Sequence, residues 1–121
     1  MRRAIMVILF AGSLLSTASA RADLLGIRNA HLTMLRVHDV STKFGPPADQ
    51  IDAEVVIQVA EKQGAFGFQL RNDAERLARQ GMLDLLRDAF NHNWLVNIDY
   101  QIEPPRKNGI ITRVWLTKAV Q

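Results

Sequence analysis

The chain has 121 residues, a formal net charge of +3 and no cysteine. This length accommodates one domain. The absence of thiols excludes disulfides, cysteine nucleophiles, haem attachment through cysteine and Cys-ligated zinc.

The first 20 residues have the pattern of a cleavable signal peptide. The basic start "MRR" precedes the apolar run "AIMVILFAGSLL", and Ala18-Ser19-Ala20 forms a small-x-small cleavage site. The run is shorter than the roughly 20 apolar residues that a membrane span needs. We therefore predict a signal peptide at 1–20, a single domain at 21–121, and a periplasmic or secreted protein without stable membrane insertion after cleavage.

Cleavage would also change the charge balance. It would remove Arg2 and Arg3 and leave 13 basic and 12 acidic residues, a net charge of +1. These residues are interleaved, whereas nucleic-acid binders concentrate Lys and Arg to neutralise phosphates. We therefore expect no nucleic-acid partner.

Three strands are predicted in the first half of the domain. The mixed apolar pattern of 27–40, "IRNAHLTMLRVHDV", predicts one bulged or strongly coiled strand, and the Gly-Pro-Pro that follows predicts a loop. Residues 51–59, "IDAEVVIQV", alternate as a strand with one apolar face. That face consists of Ile51, Ala53, Val55, Ile57 and Val59, and the opposite face, with Asp52, Glu54 and Gln58, is expected to be solvated.

The third predicted strand follows a hairpin connection at 60–64. In "AFGFQL", Phe66, Phe68 and Leu70 are expected to face inward. Gly67, on the other face, indicates a bend or a close neighbour.

The apolar period then changes to that of a helix. Asn72 and Glu75 form a variant of the capping box, and the Asn-His-Asn at 91–93 predicts the helix end. We expect close packing at Gly81, which lowers helix propensity. The predicted core stripe consists of Ala78, Met82, Leu85, Leu86, Ala89 and Phe90.

Two further strands are predicted after the helix. The first has Trp94, Val96, Ile98 and Tyr100 on its core face, and the last has Ile110, Thr112, Val114 and Leu116. The element order predicts an α+β, mainly β domain. Its expected architecture is a five-stranded OB-fold-like barrel with one helix between the third and fourth strands.

The segment "GMLDLLRDAFNHNWLVNIDY", a turn, and "GIITRVWLTK" resembles the C-terminal half of small secreted OB-fold proteins of Proteobacteria. These are similar in layout to the B subunits of cholera-, pertussis- and subtilase-type toxins, which usually carry a disulfide that this chain lacks. The resemblance implies an exported glycan-binding or adaptor subunit that can assemble as a homo-oligomeric ring. The helix positions that would line the ring's pore are Arg76, Arg79, Gln80, Asp84 and Arg87.

Groups for catalysis or metal binding are sparse. Ser41 is the single serine after residue 20, and His31, His38 and His92 lack a ligand spacing. Asp52 and Glu54 share a strand face at a separation compatible with glycosidase chemistry, but this pattern is typical of a solvated face. We therefore expect no enzyme activity, catalytic residue, cofactor or metal.

The best candidate binding residue is Trp115. It shares a predicted strand face with Arg113 and Thr117, and Phe44 in the proline-rich loop is a second candidate. A tryptophan flanked by polar groups can stack on a sugar or anchor a partner; alternatively, Trp115 packs under the helix or at a subunit contact.

The predicted function is thus a non-catalytic binding module for a glycan or cell-surface ligand. The alternative is a periplasmic accessory protein that binds another protein, as an inhibitor or assembly factor.

Overall fold

A computed structural model describes residues 23–118 of the chain. The predicted signal peptide and its cleavage site lie outside these residues, as does the segment 119–121. The elements, in chain order, are β1 (Asp23–Ala30), β2 (Leu32–Val37), a short 3-10 helix (Pro47–Asp49), β3 (Val55–Val59), β4 (Lys62–Phe68), α1 (Arg76–His92), β5 (Val96–Ile102) and β6 (Gly109–Trp115). The described domain is therefore of the α+β class.

The strands form one six-stranded sheet in the order β1-β5-β6-β4-β3-β2. Neighbours are antiparallel except β4 and β6, which are parallel and pair at Phe66–Gly109 and Gly67–Ile110. The edge strands β1 and β2 are consecutive in the chain, with His31 between them, so the sheet must curl strongly. The expected five-stranded barrel with a helix between strands 3 and 4 is wrong, because the sheet has six strands, is not closed, and α1 follows the fourth strand.

The additional strand results from a break in the segment that was predicted as one bulged strand. Asn29 has a left-handed backbone with φ 53°, a conformation that does not continue a strand. The pairing of β1 with β5 shifts register between Ile27 and Ala30. The two halves of the segment therefore pair with different partners, β5 and β3.

The main core lies between the inner face of the sheet and α1. The predicted inward residues Phe66, Phe68, Val96, Ile98 and Tyr100 are confirmed as buried. The rings of Phe66 and Tyr100 are tilted against each other with centroids 4.6 Å apart, a geometry typical of favourable aromatic pairs.

Helix α1 buries a narrower stripe than predicted. Leu86 and Ala89 are buried, and Met82, Leu83 and Leu85 pack against the core. Ala78 and Phe90 are exposed, so their assignment to the core is wrong. Among the described residues, no helix is long and apolar enough to cross a bilayer.

The two ends of α1 differ in how well they were predicted. The predicted cap at Asn72 is wrong, because the N-cap is Glu75, whose N–H donates to Oδ1 of Asp73 at 3.0 Å. The predicted C-terminal stop is confirmed, because Asn93 has φ 58° and its N–H donates to the Ala89 carbonyl. The expected close packing at Gly81 is wrong, since a Cβ there would meet nothing within 4 Å.

A second small core lies on the outer face of β2, β3 and β4. It contains Ile51, Ala53, Val56 and Ala65, with Met34 and Phe44 packed against them. Because β3 begins only at Val55, Ile51 and Ala53 do not share the face of Val55, Ile57 and Val59. The face with Glu54 is not solvated as expected, because Glu54 and Val56 are both buried.

Two predicted positions near the second half of the sheet are also corrected. Asp99 pairs with Arg113 and Tyr100 with Ile111, so Thr112 is the extra residue of a bulge. Because of this extra residue, the side chains before the bulge face the opposite side of the sheet from the one predicted. Ile111 is buried, whereas Ile110 and Thr112, which were predicted to face the core, are exposed. Trp94 precedes β5 and is exposed, with its ring stacked on that of His92.

Candidate functional site

The outer faces of β1, β5 and β6 form an open surface with a cluster of polar and aromatic side chains. The strand register sets Asp99 beside Arg113 and Asn97 beside Trp115, and Gly26 of β1 lies beside Asp99. Arg28 reaches this cluster from β1. We call these residues the arginine–tryptophan face: Arg28, Asn97, Asp99, Arg113 and Trp115.

One carboxylate at the centre of this face contacts two arginines. Nη2 of Arg28 donates to Oδ1 of Asp99 at 2.9 Å, and Nε of Arg113 lies 3.5 Å from Oδ2. The Asp99 side chain is 12% exposed, whereas those of Arg28 and Arg113 are 50% and 69% exposed. Two guanidinium groups and one carboxylate leave a net charge of +1.

Both guanidinium groups also lie near the indole ring of Trp115. The Arg28 Cζ atom is 4.5 Å from the ring centroid, and that of Arg113 is 5.8 Å away. These distances are within the range of cation–π attraction. Attraction to the indole ring and to the Asp99 carboxylate therefore holds both guanidinium groups at this surface.

Arg28 is fixed by further contacts that Arg113 lacks in the described part of the chain. Its Nη1 donates to the carbonyls of Ile98 at 3.0 Å and Ile27 at 3.2 Å. Gly26 makes room for the guanidinium, because a Cβ there would lie 2.7 Å from Nη1. Arg28 is thus a structural support of the face, and Arg113 is the arginine that is available to a ligand.

The structure brings together three of the four predicted ligand residues. The Nδ2 of Asn97 donates to the Trp115 carbonyl and to Oγ1 of Thr117, each at 3.4 Å, which links Thr117 to Trp115, and Arg113 lies near the Trp115 ring. Trp115 lies on the sheet face opposite Val114, so it does not pack under α1. Sequence reasoning missed Arg28, Asn97 and Asp99 as members of this site.

Phe44 lies apart from the other predicted ligand residues. It pairs with Ile51 in an isolated bridge and packs against the second core. The Arg36 guanidinium lies 5.4 Å from its ring centroid. Phe44 therefore supports the loop instead of joining the arginine–tryptophan face.

The predicted pore-lining residues of α1 largely pair among themselves. Gln80 Nε2 and Arg87 Nη2 both donate to Oδ1 of Asp84, at 3.1 and 3.3 Å. Arg79 lies 3.8 Å from Asp73, and Arg76 is exposed at the first turn. That this helix face lines a ring stays a prediction.

A second cluster of charges contains Asp52, Glu54 and Arg71, and we call it the Arg71 cluster. Nη2 of Arg71 lies 2.8 Å from Oδ1 of Asp52 and 2.7 Å from Oε2 of Glu54. Arg71 Nε and the Leu70 N–H donate to Oε1 of Glu54 at 3.0 and 2.9 Å. This pairing ties the segment before β3 to the segment after β4.

The protonation chemistry of the Arg71 cluster does not suit a general acid. Burial opposes ionisation of Glu54, but hydrogen bonds from Arg71 and Leu70 outweigh it and lower the pKa of Glu54 below its ordinary value. Hydrogen bonding to Glu54 raises the pKa of Arg71 in turn. A glycosidase acid needs a raised pKa, so the cluster is best explained as structural.

Among the hollows formed by residues 23–118, two lie at opposite ends of the β5–β6 pair. A polar cleft of about 470 Å³ lies between the 43–52 loop and the β5–β6 turn, with Gln50, Gln69, Gln101 and Arg106 in its lining. A more apolar hollow of about 540 Å³ is lined by Trp94, Leu95 and Leu116.

Hydrogen bonds connect the loop and the turn that border the polar cleft. Asn108 accepts a hydrogen bond from the Ala65 N–H at 2.8 Å and donates to the Asp49 carbonyl at 2.7 Å. Oδ1 of Asp49 accepts the N–H groups of Lys107 and Asn108, both at 3.0 Å. These bonds attach the 3-10 helix of the loop to the β5–β6 turn.

Within residues 23–118, no group of three or more His, Asp or Glu side chains could hold a metal ion. No protein-family model matches the chain, and no curated protein or solved structure matches it.

Proposed function

We propose that the chain is an exported, non-catalytic binding module that recognises a glycan or another cell-surface ligand through the arginine–tryptophan face. The single observation that supports this proposal is the position of Trp115 on an open sheet face, within cation–π distance of two arginines that share Asp99. Sugar rings present apolar C–H faces and hydroxyl edges, which suit an aromatic ring beside planar hydrogen-bonding groups.

Export and architecture are further parts of the proposal. Export rests on the signal-peptide pattern of residues 1–20. The strand order supports an OB-like architecture when β1 and β2 are counted as two halves of one bent strand. The position of α1 before the last two strands supports it as well.

The proposed function also includes assembly like that of toxin B subunits, with copies of the chain in a ring. Its test is the solution mass of the purified protein by light scattering. We expect a defined oligomer, and a monomer at high concentration would remove the ring and the pore from the proposal.

A glycan array with purified protein tests the binding function directly. We expect retention of a subset of glycans, and we expect Trp115→Ala to weaken it about tenfold or more, the effect of losing a central aromatic contact. Trp94→Ala is the matched control, because Trp94 is 49% exposed but lies outside the face. A blank array at high protein concentration, or equal losses in both variants, would contradict the proposal.

The second candidate function is binding of another exported protein, as an inhibitor or assembly factor. The observation that favours it is the apolar hollow, where Trp94 and Leu95 are exposed beside Leu116. Exposed apolar surface of this kind is typical of contact sites. Affinity capture from periplasmic extract should then yield one stoichiometric partner that Trp94→Ala loses and Trp115→Ala keeps.

A further inference from the structure

The arginine–tryptophan face carries more positive charge than its own acidic residue neutralises. Its neighbouring row contains Leu24, Gln101 and Ile110, which are uncharged. Asp99 is the only acidic residue in the described rows of this face, and its two oxygens are already divided between Arg28 and Arg113. Among residues 23–118, one positive charge of the face therefore remains without a partner there.

That charge is concentrated on Arg113. Arg28 uses Nη1 for two backbone carbonyls and Nη2 for Asp99. Arg113 meets Asp99 through Nε at 3.5 Å, and its terminal amino groups donate to no described residue. A guanidinium with free terminal N–H groups matches two oxygens of a carboxylate or sulfate in a planar, bidentate arrangement.

We infer that the ligand of this face is an acidic saccharide, whose carboxylate or sulfate binds Arg113 while the adjoining sugar ring contacts Trp115. This inference rests on the proposed glycan-binding function and narrows it to one ligand class. The two groups lie close enough for one residue of a saccharide, because the Arg113 Cζ is 5.8 Å from the Trp115 ring centroid.

The chain offers a direct optical readout of this contact. Trp94 and Trp115 are its two tryptophans, so Trp94→Phe leaves Trp115 as the sole source of indole emission. In that background, Trp115 fluorescence is titrated with an oligogalacturonide, with a sulfated galactose oligosaccharide, and with the neutral galactose oligosaccharide of the same length. We expect an emission change with at least one acidic probe, at about tenfold lower concentration than with the neutral one, and weaker binding as salt rises.

Two variants that each remove one positive charge distinguish a specific contact at Arg113 from general electrostatic attraction of the acidic probe. Arg113→Gln should weaken binding of the acidic probe about tenfold or more, the usual effect of losing a charge-assisted hydrogen bond. Arg106→Gln removes the same charge from the β5–β6 turn, where Arg106 lies near Glu103, and should leave binding unchanged. Arg113→Lys, which keeps the charge but not the planar fork, should recover only part of the affinity.

The outcomes distinguish this inference from the proposed function. If neutral and acidic probes bind equally and Arg113→Gln has no effect, the acidic-ligand inference is overturned and glycan binding stands. If Arg106→Gln weakens binding as much as Arg113→Gln, the contact at Arg113 is overturned. If neither these probes nor the glycan array shows binding, both the inference and the proposed function are overturned.

Discussion

The Arg71 cluster and the arginine–tryptophan face combine the same chemical groups in opposite proportions. In the first, one guanidinium is shared by the carboxylates of Asp52 and Glu54. In the second, the Asp99 carboxylate is shared by Arg28 and Arg113. One cluster has an excess negative charge and the other an excess positive charge, and both join segments that are distant in sequence.

Burial is what separates their roles. The Glu54 side chain is 4% exposed and accepts hydrogen bonds from the Leu70 N–H and from Arg71, so removing it deprives both part-buried donors of this acceptor. The Arg113 side chain is mostly exposed, so the surrounding water screens its pairing and replaces it at little cost. A buried charge is therefore committed to the fold, whereas an exposed charge on an open face can serve a ligand.

The strongest test of this difference is Glu54→Ala. We expect a loss of about 2–3 kcal/mol in the free energy of unfolding, because the variant removes the buried carboxylate that accepts hydrogen bonds from the Leu70 N–H and from Arg71. Asp52→Ala is the control, since Asp52 contacts the same arginine but its side chain is 47% exposed, and it should cost about 1 kcal/mol or less. Denaturant unfolding measures both, and equal losses would contradict the role of burial.

Glycine substitutions extend the comparison to packing. A Cβ at Gly67 would collide with the Val55 carbonyl oxygen and approach Ala53 within 3.0 Å, so Gly67→Ala should cost about 1–3 kcal/mol. At Gly26 the Cβ would meet only the end of the Arg28 side chain, which can move away. Gly26→Ala should therefore change stability by less than about 0.5 kcal/mol, and thermal unfolding of the two variants should show clearly different midpoints.

The pH dependence of stability should report the Arg71 cluster. Because folding lowers the pKa of Glu54 from its ordinary value of about 4.5, its stabilising effect is complete above that value. It is lost as the pH falls through the lower pKa of the folded state. Between pH 6 and 2.5, the thermal midpoint should fall more steeply for the native sequence than for Glu54→Gln, and the two midpoints should converge at the acidic end. Parallel curves would contradict the assigned pKa shift.

An equally small stability effect is expected at Arg113. Arg113→Gln should change the free energy of unfolding by no more than about 0.5 kcal/mol, as for most exposed substitutions. The same purified variant should show the weakened binding of acidic saccharides. A large loss of stability would mean that Arg113, like Glu54, is committed to the fold, and the distinction between the two clusters would fail.

The candidate site was only partly predictable from the sequence. The alternation of the last strand predicted that Arg113, Trp115 and Thr117 share one face. The bulge residue Thr112 precedes all three, so the bulge does not change their positions relative to one another. Asn97 and Asp99 were recognisable as the polar side of β5. Arg28 was not, because the break at Asn29 obscured the phase of β1, and its partner Asp99 is 71 positions away.

The prediction of the Asp52 and Glu54 environment failed for a related reason. Their alternation with apolar residues is typical of a solvated strand face, but β3 begins only at Val55. The chain before it belongs to a loop that folds over the outer sheet surface and buries Val56 and Glu54. Alternation indicates which residues share a face, and it carries no information about what later covers that face.

The sequence by itself determined the local features: the periods of the strands around Phe66 and Ile98, the presence of one amphipathic helix, and its end at Asn93. These depend on backbone preferences and on neighbours within a few residues. The tertiary structure decided the division of the first strand, the phase change at Thr112, and the sharing of Asp99 by two arginines. Those features depend on which distant strands pair and at what register, because a shift of one residue turns every following side chain to the other face of the sheet.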